Sequence, residues 1–511
     1  MRRQNYFLFS YILGILTILY IGYVGVKSIL YLTEVGPWAF SDSAAYITVA
    51  KNIVAGRGVV LQNPSGVYEL FPLHTPFYPI LTAGIMRFGL TAIEASRWLN
   101  AVLFGLVIAL AGLGTLGFTR SPLLGTGVAY LISRSIETQK AFSGMMSEGV
   151  FLFFTILTLV LITLAISTSK NKPWLILAGL SAGLAVLSRY AGLAVVGSGL
   201  LLILLFSMKK WKSRLADTAL FGVPALIVAL LWLAPVYLST RTFGDRPLGT
   251  PIDLGSQLTT YFNSFIEIFS GWLPYFQRGN HILAPEMKLG ITFGLIIALL
   301  VFVFACKSRS RMKVWLGSLT LFFIAYLLLH LTSFVTAETQ PDINGRLLLP
   351  LLITFYLMLP ALLFAVFKQL KAPLVGKILF VVFVAVSTNY YAGKLHEFTT
   401  ELHGYGNGYT SFRWKDNALF DAVKEIPPGV PLISNEPGMV LFYTERFPHQ
   451  LPLYDLDTAP KFDPNSSAYV LFQTPTDPNE TDLLDKRILD LRNTHNLNFE
   501  NKDGSIFLPK E

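Results

Sequence analysis

The chain has 511 residues, 53% of them hydrophobic and only 14% charged, with a mean hydropathy of +0.54. That balance excludes an ordinary water-soluble globule of this length and places the chain in a bilayer. The formal net charge of +9 sits in short basic loops between apolar runs, so it reports topology and not a nucleic-acid surface. The single cysteine, Cys306, excludes an internal disulfide.

A hydrocarbon core of roughly 30 Å takes about 20 apolar residues per helical span, and such runs recur from Tyr6 to the stretch before Tyr390. Arg2 and Arg3 lead into the first run, 6–31, which is too long for a signal-peptide core and reads as a retained span. Basic residues then fix the sides. Arg2 with Arg3, Arg87 with Arg97, Lys170 with Lys172, Lys209 to Arg214, Lys307 to Lys313 and Lys368 to Lys377 read as cytoplasmic anchors.

Between these anchors the first span exits into an outer loop of about 33–75, and a Pro-led segment, 76–90, returns to Arg87. The run 98–118 goes out again and 149–166 comes back to Lys170. The apolar piece 122–132 has no slot in this parity and is expected to be re-entrant or interfacial. The run after Pro173 is interrupted by Ser188-Arg189-Tyr190, which predicts a tight hairpin with Arg189 at the outer surface. A span at 215–237 leads to a second outer loop, 239–288, and spans near 289–306, 314–335, 347–367 and 378–391 follow. The total is about 11 transmembrane helices, with the N-terminus inside and the C-terminus outside.

From Gly393 the composition turns soluble. Helix-like 416–425, strand-like 431–434, helix-like 438–443, strand-like 468–472 and helix-like 482–492 alternate as in a small α/β domain. The expected architecture is a polytopic α-helical membrane protein: a transmembrane domain, 1–392, and an extracytoplasmic α/β domain, 393–511. No internal repeat of the inverted-transporter kind is visible.

The first outer loop carries Ser41-Asp42-Ser43-Ala44-Ala45-Tyr46, then Gly56-Arg57-Gly58, then Leu73-His74-Thr75-Pro76-Phe77-Tyr78-Pro79. Apolar residues between Ser41 and Ile53 recur at helical spacing, which predicts an amphipathic helix on the membrane surface with Ser41 or Asp42 as its N-cap. Asp42 reads equally as that cap or as a base facing a cavity.

These segments resemble the GT-C glycosyltransferases, especially the bacterial branch related to protein mannosyltransferases and aminoarabinose transferases. The resemblance continues through Met146-Ser147-Glu148-Gly149, through Ser188-Arg189-Tyr190-Ala191-Gly192, and through Gly345-Arg346-Leu347-Leu348-Leu349-Pro350. It implies an isoprenoid-phosphate sugar as donor, bound at the non-cytoplasmic face of a bacterial plasma membrane, with Asp42 as the base that takes the acceptor's proton. An inverting displacement also needs cations against the departing lipid phosphate, and Arg346 and Arg189 are the candidates. Glu148, His74, Tyr46 and Tyr78 are further active-site candidates.

Bland readings stand beside these: Arg346 snorkelling, Arg189 as a turn residue, Glu148 favoured by a helix dipole, and His74 as a loop residue between prolines. The adjacent Asp-Glu pair of eukaryotic-type protein mannosyltransferases and the Trp-Trp-Asp signature of oligosaccharyltransferases are both missing, which leaves a lipid, glycan or protein acceptor open. Seven scattered histidines and an Asp42 without an Asp-x-Asp partner predict no essential metal and no cofactor beyond the donor. A transporter or flippase, or a non-catalytic scaffold, is the rival class; a transporter would place charges at mid-membrane, whereas here they gather at one face.

Overall fold

Seven of the described helices are long and apolar enough to cross a membrane, and three shorter apolar ones accompany them. The computed structural model describes residues 2–64, 66–168, 171–207, 209–241, 254–274, 310–336, 343–451, 464–473 and 478–510. The expected span at 289–306 lies outside the described residues.

Helix α1 (Arg2–Leu32) packs antiparallel to a long later helix, Ala92–Thr119. Small residues let the two backbones approach: a Cβ on Gly22 would lie 2.9 Å from the Gly105 carbonyl. Arg97 Nη2 donates to the Leu30 carbonyl at 2.5 Å, so the second helix starts at the end of the bundle where α1 finishes. That end carries the candidate site.

This pairing corrects two topological expectations. The segment 76–90 holds only a ten-residue helix, Phe77–Met86, about 15 Å long, so it does not cross, and Arg97 lies at the site end. The piece expected to be re-entrant takes its place. Pro122 starts beside Gly14 near the far end of α1, and helices Pro122–Arg134 and Ile136–Ser143 return along Ala92–Thr119 to Gly144, whose carbonyl accepts from Asn100 Nδ2. Hydropathy misses this return because its second half, Ile136–Ser143, is polar and is buried against protein. The two errors offset each other, so the parity beyond Ser147 is unchanged.

The elements in chain order are α1, α2 (Ser41–Val54), the hairpin β1–β2 (Val60–Gln62 and Tyr68–Leu70), α3 (Phe77–Met86), α4 (Ala92–Thr119), α5 (Pro122–Arg134), α6 (Ile136–Ser143), α7 (Glu148–Ser167), α8 (Lys172–Ser188), α9 (Leu193–Phe206) and α10 (Trp211–Thr240). There follow α11 (Leu254–Gly271), α12 (Arg311–Thr336), α13 (Gly345–Gln369) and α14 (Pro373–Tyr405). A single 3-10 turn, Tyr190–Gly192, makes the tight hairpin between α8 and α9. At the far end, buried Asp217 of α10 ties this hairpin down, accepting from Asn171 at 2.9 Å and pairing with Lys209 at 2.7 Å. In the second loop, α11 buries Tyr261, Phe265 and Ile266 on one side, and the Tyr261 hydroxyl lies 3.1 Å from His330 Nδ1.

Helix α14 runs unbroken through Gly393, where the composition turns soluble. The change of composition marks a different environment along one helix and not the helix's end. Beyond it, β3 (Leu432–Ser434), β4 (His449–Gln450), β5 (Ala468–Phe472), β6 (His495–Asn501) and β7 (Gly504–Pro509) form a five-stranded sheet of order β4-β3-β5-β7-β6. Strand β3 is parallel to β4 and β5, and β7 is antiparallel to β5 and β6. Helices α15 (Ala418–Glu425), α16 (Pro437–Thr444) and α17 (Pro478–Thr494) accompany it.

Helix α2 does not lie on a surface as expected. Nine of its residues are buried, it packs against both α3 and α16, and Lys51 pairs with Glu445 at 2.7 Å. Its approach is set by Trp38 and Ala39. Trp38 N–H donates to Ser143 O and its carbonyl accepts from Met145 N–H, both at 2.9 Å, while Ala39 O accepts from Tyr409 N–H at 2.9 Å. Gly408 makes this junction possible, with φ of 62° and a Cβ position only 1.9 Å from the Ala39 carbonyl.

Substituting Gly408→Ala is therefore expected to cost about 2 kcal/mol or more, read as a lower melting temperature of the purified protein. Gly404→Ala, on α14 with open space around it, is the control and should be neutral or slightly stabilising.

Candidate active site

The junction delivers the chain to Phe40, the N-cap of α2. The Ser43 hydroxyl accepts the Phe40 N–H at 3.3 Å, so neither Ser41 nor Asp42 is the cap and the Asp42 carboxylate is left to face a cavity. Its Oδ1 lies 3.5 Å from His74 Nε2 and its Oδ2 lies 3.5 Å from Arg346 Nη2.

Glu148 opens α7 and is 3% exposed. Its Oε1 stands 2.5 Å from Arg189 Nη1 and 3.5 Å from Arg346 Nε. Arg189 also donates to Ser147 Oγ at 3.4 Å, and the same hydroxyl lies 3.2 Å from the Tyr46 hydroxyl. Arg346, in the first turn of α13, is set over the Phe40 ring at 4.9 Å and reaches Met146 Sδ at 2.8 Å. The two arginines thus come from different helix ends and meet on one buried carboxylate.

Asp42, Tyr46, His74, Arg189 and Arg346 all line one cavity of about 540 Å³. Two sequence candidates lie behind its wall instead. Glu148 is the buried partner of both arginines, and Tyr78 is fully buried, with its ring edge on Tyr46 and its hydroxyl 3.3 Å from Asn100 Nδ2. The opposite wall, which sequence reasoning missed, carries Tyr326, His330 and Ser333 of α12. The signal was present: these three polar residues sit at i, i+4 and i+7 in the apolar second half of the helix. A second cavity of about 380 Å³ touches Arg346 and Asn344 from another side and is lined by Trp38, Phe40, Glu137 and Lys140.

Burial works against the Asp42 charge, but the hydrogen bond from His74 and the charges of His74, Arg346 and Arg189 outweigh it and hold the carboxyl below its ordinary value. It is ionised at neutral pH. Burial pushes the Tyr46 and Tyr78 hydroxyls up, so both stay neutral hydrogen-bonding groups. Among the described residues no three His, Cys, Asp or Glu side chains converge to hold a metal ion. The arrangement can accept a proton at Asp42 and bind an anionic oxygen through two guanidiniums in the same space.

The whole-chain fold matches solved structures at this point. ArnT from Cupriavidus metallidurans bound to undecaprenyl phosphate aligns with a TM-score of 0.51 over 96% of this chain and 97% of that one, at 13% identity. The oligosaccharyltransferase AglB from Archaeoglobus fulgidus, in complex with an inhibitory peptide and a dolichol-phosphate, aligns with a TM-score of 0.51 over 85% of this chain and 64% of that one, at 12% identity. The chain shares the fold of these two solved structures. No protein-family model matches the sequence, and no curated protein sequence matches it. The likeness rests on three-dimensional architecture over 96% of this chain.

Two outcomes follow for the charges of this site. Arg189→Ala leaves Glu148 buried with one partner and should cost about 3–5 kcal/mol, whereas the double variant Arg189→Ala, Glu148→Gln should recover part of that loss. The Asp42 contribution has the sign of a depressed carboxylate: it is fully present above the unfolded value and is lost as pH falls through the lower folded value. Asp42→Asn should therefore melt below the unmodified protein at neutral pH, and the gap should close in strong acid.

Proposed function

We propose that the chain is an inverting glycosyltransferase that moves a sugar from a polyprenyl-phosphate carrier to a hydroxyl of a lipid, glycan or protein acceptor, on the non-cytoplasmic side of a bacterial plasma membrane. One observation carries the reading. An ionised carboxylate, Asp42, and two guanidiniums, Arg189 and Arg346, share a single cavity.

The chemistry needs both kinds of group. As the acceptor oxygen attacks the anomeric carbon, its proton passes to Asp42, and the carbon–oxygen bond to phosphate breaks with its electron pair leaving on the phosphate. Paired N–H donors of Arg189 and Arg346 stabilise that developing charge. An apolar side of the cavity, formed by Leu193 and Leu329, reaches the surface of the bundle, where Leu193 is 50% exposed, and gives an isoprenoid tail a route from the bilayer. The fold neighbours solved with undecaprenyl phosphate and dolichol-phosphate support a carrier of this class. The second cavity, with Trp38 and Phe40 beside Glu137, Lys140 and Asn344, has the aromatic and hydrogen-bonding walls that a sugar ring uses.

The basic loops support this sidedness. Lys209 to Arg214, Arg311 with Lys313, and Lys368 to Lys377 all lie at the end of the bundle away from Asp42, and short basic loops mark the cytoplasmic side. With two guanidiniums to neutralise the leaving phosphate, the reaction needs no metal. For a transporter the expected sign is a continuous central path with mid-membrane charges, and the one cavity joining Asp42 to Arg346 at one end favours transfer.

The test is incubation of the purified full-length protein with a panel of polyprenyl-phosphate sugars and candidate acceptors, following release of the lipid phosphate. Asp42→Asn should lower turnover by about 100- to 10,000-fold with folding intact, and EDTA should leave the rate unchanged. Full activity in Asp42→Asn would refute the mechanism.

A further inference from the structure

An inverting displacement needs the base and the departing phosphate on opposite sides of one sugar, at a fixed separation. In this cavity the two ends of that line include Asp42 on α2 and Arg189 at the α8–α9 turn, which come from different parts of the chain. A shift of about 1 Å at either end can cost about 100-fold in rate. Tyr190 stands where the two ends are joined.

Tyr190 follows Arg189 directly and opens the tight turn. The turn folds back onto the end of α8: Gly192 N–H donates to the Arg189 carbonyl at 2.8 Å, and a Cβ on Gly192 would lie only 2.3 Å from the Val186 nitrogen. The Tyr190 hydroxyl is used twice. It accepts from Trp232 Nε1 of α10 at 3.2 Å and donates to the Pro72 carbonyl of the first outer loop at 2.7 Å. The residue packs with Leu187, Trp232 and Val236, in a cluster that also takes in Phe77 of α3.

Two residues beyond Pro72, the His74 ring is seated between those of Tyr46, at 5.0 Å, and Phe71, at 5.3 Å. Its Nε2 donates toward Asp42 Oδ1 at 3.5 Å, while Arg346 meets the other carboxylate oxygen at 3.5 Å. A line of contacts thus runs from α10 through Trp232, Tyr190, the Pro72 carbonyl and His74 to Asp42, and it passes one residue from Arg189.

We propose that Tyr190 is a positioning residue for the transfer reaction: its hydroxyl ties the loop bearing His74 to the turn that carries Arg189, and so fixes the span between the base and the phosphate-binding guanidinium. This rests on the transferase reading above. Tyr190 lines the cavity, but its hydroxyl is committed to Pro72 and Trp232 and acts on Asp42 only through His74. The part of His74 is to orient the carboxylate with a donated hydrogen bond, and no proton changes hands between them.

The test compares Tyr190→Phe with the unmodified full-length protein, using whichever polyprenyl-phosphate sugar of the panel turns over fastest. Phenylalanine keeps the ring in its cluster and removes the hydroxyl alone. Turnover, kcat, should fall about 10- to 100-fold with little change in donor KM, because the phosphate still meets both arginines while the base is misplaced. Trp232→Phe, which removes the N–H donated to Tyr190, should lower kcat by a smaller factor with the same unchanged KM. The deciding comparison is made in Asp42→Asn, followed at higher enzyme concentration. With no base left to place, adding Tyr190→Phe should slow that variant by less than about twofold.

A Tyr190→Phe enzyme with unchanged kcat overturns the proposal. A loss seen as a raised donor KM also overturns it, since the residue would then serve the phosphate end. So does an equal loss in the Asp42→Asn background, which is the mark of a purely structural role. Absence of lipid-phosphate release by the unmodified protein with every donor is a different result: it overturns the transferase reading itself and takes the positioning role with it.

Discussion

A buried carboxylate with few partners is costly, and Glu148 is the place where this protein meets that cost. Its charge is answered by Arg189 from the turn after α8 and by Arg346 from the start of α13. One acid thereby draws three separate helix ends to a point, and the cavity is the space left around them. Arg189 is the closer partner at 2.5 Å, while Arg346, at 3.5 Å, divides its donors among Glu148, Asp42 and the Met146 sulfur. The site at rest is close to electrically balanced, with two carboxylates against two guanidiniums. Any anion entering the cavity would make the anions the majority and would compete with the carboxylates for the same N–H donors.

The second constraint is made of backbone. Trp38 and Ala39 bond on one side to the segment leading into Ser147 and Glu148, and on the other to Tyr409 beyond α14. Asp42 therefore inherits its position from both the helical bundle and the C-terminal sheet region. Burial of α2 between α3 and α16 completes the support, and a side chain carried on a well-packed helix is more sharply placed than one on a free loop.

Much of this could be read from residues alone, and the misses have physical causes. Apolar runs of full length announced α1, α4, α7, α10, α12 and α13, because hydropathy sums are decisive when a helix faces lipid. They failed at α5–α6, where polar residues Glu137, Thr138 and Gln139 face protein, and at α3, where apolar residues pack on α2 and α4 without crossing anything. Charged candidates next to breaks in apolar runs, Asp42, Arg189 and Arg346, were legible since a charge at a helix end in a membrane protein needs a reason. Tyr326, His330 and Ser333 were not noticed, because a sparse polar stripe barely lowers the hydropathy of α12. The cap at Phe40 was illegible for a different reason: it depends on Ser43 reaching back, which the Ser-Asp-Ser string permits but does not distinguish.

The polar half-crossing α6 bears on how the chain is made. A segment such as Ile-Glu-Thr-Gln-Lys-Ala-Phe-Ser has no reason to partition into lipid by itself, and in the finished protein it is covered by α13 and α14: Ile136 lies with Tyr391 and Leu395, and Glu137 approaches Gly345. Those covering helices are synthesised much later than α6, and Arg346 is separated from its contact at Met146 by 200 residues. During translation α6 must therefore wait, shielded by the translocation machinery or held at the interface, until its lid arrives. Closure of the Asp42 end is thus a late event of biogenesis, and a nascent chain released before α13 would carry Asp42 and Glu148 without Arg346 beside them.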